Sequence, residues 1–190
     1  MNIIKKQGLG SFITIGTIII SIIGLIIYGV TLSTGDNVQV ANGGEMYLFK
    51  DEFGTVTTVG IISLLTLVVG LIIPNIKTNG TVNKVLNFVG DALRIIAPAL
   101  IIYTFVYFLN GCLTGLGWTF FSNEELEINP VAIKAGHLTI VTLVFFLIAF
   151  VTSLVGAFFP ILKKEEAAQE EVVREDLVEA DVAIEGTVEV

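Results

Sequence analysis

The sequence predicts an all-α membrane protein, a four-transmembrane-helix bundle with a small extracellular β-hairpin in its first outer loop. Three observations carry this. Of 190 residues, 54% are hydrophobic and 15% charged, too few polar residues to coat one soluble core of that size. Asp, Glu, Lys and Arg are absent between Lys6 and Asp36, Glu52 and Lys77, Arg94 and Glu124, and Lys134 and Lys163. Each gap exceeds the roughly 20 residues that carry a helix across about 30 Å of hydrocarbon. Finally, the apolar runs are long and uniform, which suits helices rather than barrel strands where no water can satisfy the backbone.

The spans fall near 9–32, 57–75, 93–116 and 139–162, giving a membrane domain over 1–164 and a tail over 165–190. The first run is about twice a signal-peptide core, and no small-residue cleavage site follows it near 32–35, so it reads as a retained span. Its small and hydroxylated residues, Gly10, Thr14, Thr17, Ser21, Gly24 and Tyr28, recur at 4, 3, 4, 3, 4. That is the seam of a left-handed helix pair. In lipid, apolar surface gains nothing by meeting another helix, so association relies on close approach and interhelical hydrogen bonds.

The second span offers Ser63, Thr66 and Gly70 for the same purpose. The third offers Tyr103, Tyr107, Asn110 and Thr114, the fourth Ala149, Thr152 and Gly156. Thr17, Ser21, Thr66, Tyr103, Tyr107 and Asn110 are the candidates for a polar bundle interior; Gly10, Gly24, Gly70 and Gly156 are the candidate packing glycines. Pro98 removes an amide that would bond the carbonyl of Arg94, so a bend is expected there, with Arg94 reaching headgroups or pairing with Asp91.

Orientation follows Lys and Arg near the span ends. Lys5, Lys6, Lys77, Lys84, Arg94, Lys163, Lys164 and Arg174 collect on one side, against Lys50 and Lys134 on the other. Both termini are therefore expected in the cytoplasm, with the loops at 33–56 and 117–138 outside. Residues 37–49 alternate around Asn42-Gly43-Gly44, a hairpin signal. In the second loop Trp118 suits the interface, and Ser122 with Glu125 could open a short helix.

TLVVGLIIPNIK (66–77) and TSLVGAFFPILK (152–163) align at an offset of 86 residues. They read either as tandem parallel hairpins or as two helices that leave the bilayer on one side with the same Gly, Pro and Lys. The tail from Glu165 holds ten acidic residues and one base, Arg174, for −9, so the remainder carries +1 of the net −8. It reads as a solvated extension, or as a partner-docking helix along Val173, Leu177, Ala180 and Ile184.

Chemistry-bearing patterns are sparse. Cys112 is a lone thiol that cannot pair within the chain, and His137 has no second ligand near it in sequence. Glu124, Glu125 and Glu127 read as solvated surface. No HExxH, GxSxG or phosphate-binding loop occurs, so no enzyme, cofactor, metal or nucleic-acid partner is expected.

The four spans, internal termini, larger β-prone first outer loop and shorter second one resemble the topology of the claudin-like tetraspan membrane proteins. The first loop lacks their W-GLW-C-C pattern, so no residue role carries over. The reading is a small integral plasma-membrane protein, bacterial from its isoleucine-rich, cysteine-poor makeup. Its role is structural, accessory or partner-binding, through the bilayer, a membrane-protein partner or a second copy. The alternative is a small channel or transporter subunit for an uncharged solute.

Overall fold

The computed structural model describes residues 7–35, 38–39, 45–46, 54–76, 81–122, 126 and 128–162. Four helices dominate: α1 (Leu9–Gly35), α2 (Thr55–Ile72), α3 (Thr81–Gly117) and α4 (Pro130–Phe158). Each is long and apolar enough to cross a membrane. The chain is a multi-pass membrane helical bundle.

The helix ends have local causes. After Ile72 a 3₁₀ turn, Ile73–Asn75, carries Pro74 and closes with Ile76 N–H donating to Ile73 O at 3.1 Å. Proline cannot donate the next helical bond, so α2 stops there. At α4, the Asn129 side chain accepts from the amides of Val131 and Ala132 at 2.9 and 3.2 Å, with Pro130 at the first helical position. This cap satisfies two otherwise orphaned donors. It starts α4 nine residues before the span expected at 139, because a helix does not stop at a charged residue such as Lys134 when the cap lies farther out.

α3 has 37 residues, about 55 Å at 1.5 Å per residue and far more than about 30 Å of hydrocarbon. Residues 81–92 continue the helix ahead of the span expected from 93, and the helix runs through Pro98 unbroken. A π-helical turn, Trp118–Ser122, follows it. In the first long loop, β1 (Val38–Gln39) pairs antiparallel with β2 (Glu45–Met46). Two residue pairs are too few to stand as a hairpin, so the hairpin expected over 37–49 is not supported and the architecture is all-α. Most of that segment, residues 123–125 of the helix start expected after Ser122, and the tail lie outside the described residues.

The helices form a ring in which α1 packs chiefly on α4, α4 on α3 and α3 on α2, while α1 and α2 make the slightest contact of the four neighbouring pairs. α1 buries Gly10, Thr14, Thr17, Ser21, Gly24, Tyr28, Thr31 and Gly35, and turns Ile15, Ile19, Ile22 and Ile26 outward. Hydroxyl pairs cross to α4: Thr17 with Thr152 at 3.0 Å, and Thr31 with Thr142 at 3.2 Å. Such bonds contribute on average about 0.6 kcal/mol each. Toward the loop end, Tyr28 meets Phe108 edge-on with ring centroids 5.0 Å apart, and Phe108 meets Phe146 at 6.3 Å. Leu67, Ala97, Ile101 and Ala149 form a second cluster nearer the termini.

One face differs from expectation. α3 turns Arg94, Ala97, Ile101, Thr104, Phe108 and Cys112 inward, whereas Tyr103 and Asn110 are exposed and Tyr107 half-buried. The inward stripe lies one residue, about 100°, round the helix from the expected one. Its smaller side chains admit α2 and α4 closely, and it carries Arg94 to carbonyls that only the fold brings near.

Candidate functional site

Polar groups of all four helices or their ends, side chains from the first three and backbone carbonyls from the fourth, converge where the two ends of the described chain meet. Gln7 forms a β-bridge with Leu162, Gly8 N–H donates to Ile161 O, and Gly10 N–H donates to Pro160 O at 3.1 Å. A Cβ on Gly8 or Gly10 would run into the backbone oxygens of Pro160 or Phe159. Glycine is therefore what allows this approach. The Ser11 hydroxyl lies 2.9 Å from Ile161 O and beside Gln7 Oε1. Gln7 Nε2 donates to Asn75 Oδ1 at 2.7 Å, and Asn75 Nδ2 donates to Leu71 O at 2.8 Å. α1, the end of α2 and the segment after α4 are thus joined by one hydrogen-bonded chain.

Arg94 of α3 completes the assembly. Its residue surface is only 6% exposed. Nη2 donates to Gly156 O and, at 2.6 Å, to Phe159 O, and Nη1 faces Asp91 Oδ1 at 3.4 Å. The guanidinium thereby caps the C-terminus of α4, satisfying the Phe159 carbonyl, sharing that of Gly156 with the Phe159 amide, and placing positive charge at the negative end of the helix dipole. Asp91 is largely exposed, so its pairing adds little. Gly70 makes room for this arginine: a Cβ there would stand 3.1 Å from Arg94 Cγ.

The other glycines singled out from the sequence also lie at contacts. A Cβ on Gly24 would come within 3.1 Å of the Phe146 ring, and one on Gly156 within 3.1 Å of Ile13 Cγ2. Among the polar candidates, Thr17 bonds across to α4, Thr66 donates only to Ile62 O of its own helix, and the Ser21 hydroxyl finds no protein partner. Tyr103 and Tyr107 stack side by side, 6.1 Å between centroids; with Asn110 they belong to the outer side of α3, not to a polar interior. Cys112 is buried. His137 is exposed beside Phe120, 5.5 Å between rings. Among the described residues no three of His, Cys, Asp or Glu gather as metal ligands would.

The polar assembly at the chain ends can hold helices together. It brings no nucleophile to a base. Gly10, Gly70, Gly156 and the Arg94–Asp91 pairing were legible in the sequence; Gly8 and the carbonyls of 159–161 that it and Gly10 approach, some 150 residues away, were not. Searches against protein-family models, curated proteins and solved structures found no match.

Proposed function

We propose that this chain is a small integral plasma-membrane protein with a structural, accessory or partner-binding role, non-enzymatic, with both termini in the cytoplasm. The charge asymmetry of the loops supports the orientation, and the isoleucine-rich, cysteine-poor composition favours a bacterial membrane. One observation carries the partner-binding reading. On an outer surface made mostly of Ile, Leu, Val and Phe, α3 presents Tyr103, Asn110 and Thr114, all exposed, with half-buried Tyr107. Among the described residues the Asn110 amide has no hydrogen-bond partner. An amide facing hydrocarbon without a partner is costly, and in membranes such groups are satisfied by neighbouring helices.

This face would receive a helix of another membrane protein or of a second copy. The alternative, a conduit for an uncharged solute, leaned on Asn110 as a lining residue, and Asn110 stands outside the bundle. A photo-crosslinking side chain placed at Asn110 in native membranes should give a discrete protein adduct. The same group at Ile148, on the exposed side of α4, should give only lipid. Absence of a protein adduct at Asn110, with the protein folded and abundant, would refute the reading.

A further inference from the structure

α3 carries a second stripe, on the side turned away from the bundle. Val82, Val89, Ile96, Tyr103 and Asn110 follow one another at steps of seven, and Val85, Ala92, Ala99, Val106 and Leu113 fall three residues after each. All are exposed except half-buried Ala92. A repeat of this kind, held over five heptads, is the seam of a left-handed helix pair.

Within the bilayer an outward apolar stripe needs no partner but lipid. This one runs past the bilayer. With Trp118 at the outer interface, about 20 residues cross the hydrocarbon, and the crossing ends near Pro98. Val82, Val85, Phe88 and Val89 lie beyond that point, on a segment that Lys84 and Asp91 mark as aqueous. Val82, Val85 and Phe88 are nonetheless 58%, 55% and 74% exposed, where lipid tails do not cover them. The Asn110 amide has the converse fault: it lies about 12 Å along the helix from Trp118, inside hydrocarbon and away from water. A lipid surface would remedy the first fault alone. A helix lying alongside α3 over its whole length remedies both.

We propose that this helix is α3 of a second copy, paired in parallel along the seam; the proposal rests on the partner-binding reading above and names the partner. Two copies inserted the same way are related by a two-fold axis along the membrane normal, so each level of α3 meets the same level of its mate. The seam suits that symmetry. Lys84, Asp91 and Arg94 all fall off it, so no charge meets its like. Asn110 is both donor and acceptor, and can exchange bonds with Asn110 of the partner subunit. An asparagine in that place of the heptad fixes the register of a parallel pair. Ala92 and Ala99, one heptad apart, let the two backbones approach.

The test uses the full chain in isolated native membranes, with Cys112, which is buried, replaced by Ala. Single cysteines replace Val85 and Val106 on the seam, and Asn87 and Ile148 off it, all four exposed. Mild oxidation should give a disulfide-linked product of twice the chain's mass from Val85→Cys and Val106→Cys, and none from Asn87→Cys or Ile148→Cys. Product from only one seam position, from neither, or equally from all four would overturn the proposal. Asn110→Leu should lower the dimer association constant in lipid by about threefold to thirtyfold, the worth of an interhelical side-chain bond there; no loss would overturn the amide pairing. A photo-crosslinker at Asn110 separates this proposal from the reading beneath it. An adduct with a different protein and none with this chain would overturn the second copy and keep the partner-binding role, whereas no protein adduct would overturn both.

Discussion

Replacing Arg94 by Met tests whether the arginine holds the bundle's terminal end or merely resides there. Met keeps most of the apolar stem that lies against Gly70, and removes the guanidinium. Phe159 O then loses its donor, while Gly156 O keeps a weaker one, the Phe159 amide at 3.3 Å. Hydrogen bonds to a charged group contribute about 1.5–3 kcal/mol, and stranding a buried acceptor costs about 1–3 kcal/mol. A partly buried cation at a helix C-terminus adds up to about 2 kcal/mol. Against these stands the desolvation of the arginine itself, which Met relieves. The net expectation is a loss of about 2–4 kcal/mol. Arg94→Lys retains the charge but not the planar fork that reaches two carbonyls, and should fall between wild type and Met. Asp91→Asn should cost under about 1 kcal/mol, since Asp91 is exposed and its pairing is long. Reversible unfolding in mixed mild and denaturing detergent reads all three. If Arg94→Met lay within about 0.5 kcal/mol of wild type, or if Asp91→Asn cost as much as Arg94→Met, the capping argument would fail.

Two further outcomes are expected. Gly10→Ala should destabilise the protein by more than about 2 kcal/mol through collision with the Phe159 carbonyl, whereas Gly16→Ala, where an added Cβ meets nothing within 4 Å, should be neutral or mildly stabilising; equal effects in the same unfolding assay would remove the close approach as the reason for Gly10. In intact cells Lys50 should react with an impermeant amine reagent while Lys77 and Lys164 are protected, as judged by mass spectrometry of labelled peptides, and labelling of all three would overturn the proposed orientation.

The bundle was legible where polarity and burial coincide. On α1 every small or hydroxylated residue of the seam stands among isoleucines, so period and partner face are read from one contrast, and the buried set continues the same spacing to Thr31 and Gly35. On α3 that contrast is absent. Tyr103, Tyr107, Asn110 and Thr114 make as regular a stripe as Arg94, Ala97, Ile101 and Thr104, and the more polar of the two faces outward. What selects between them is distant: the α4 carbonyls that accept from Arg94 and the Gly70 notch that receives its stem. Helix starts were lost for a different reason. Gaps between charged residues mark hydrocarbon, not helix, so α3 begins twelve residues before the expected span, and the Asn129–Pro130 cap of α4 lies outside the gap altogether.

The order of the ring also has a consequence for how the chain is made. The first helix finds its main partner in the last, and little of one in its neighbour. At about 5–20 residues per second, the interval between completing α1 and completing α4 is on the order of ten seconds. Through that interval α1 sits in lipid with its threonines bonded only to their own helix, since Thr142 and Thr152 have yet to be made. Its seam is then open to any passing helix with small residues at the same spacing. α4 ends that exposure, and the segment after it, whose backbone pairs with Gly8 and Gly10, closes the terminal end of the seam, so a ribosome that stalls before α4 is made leaves a membrane-inserted chain with the α1 seam uncovered.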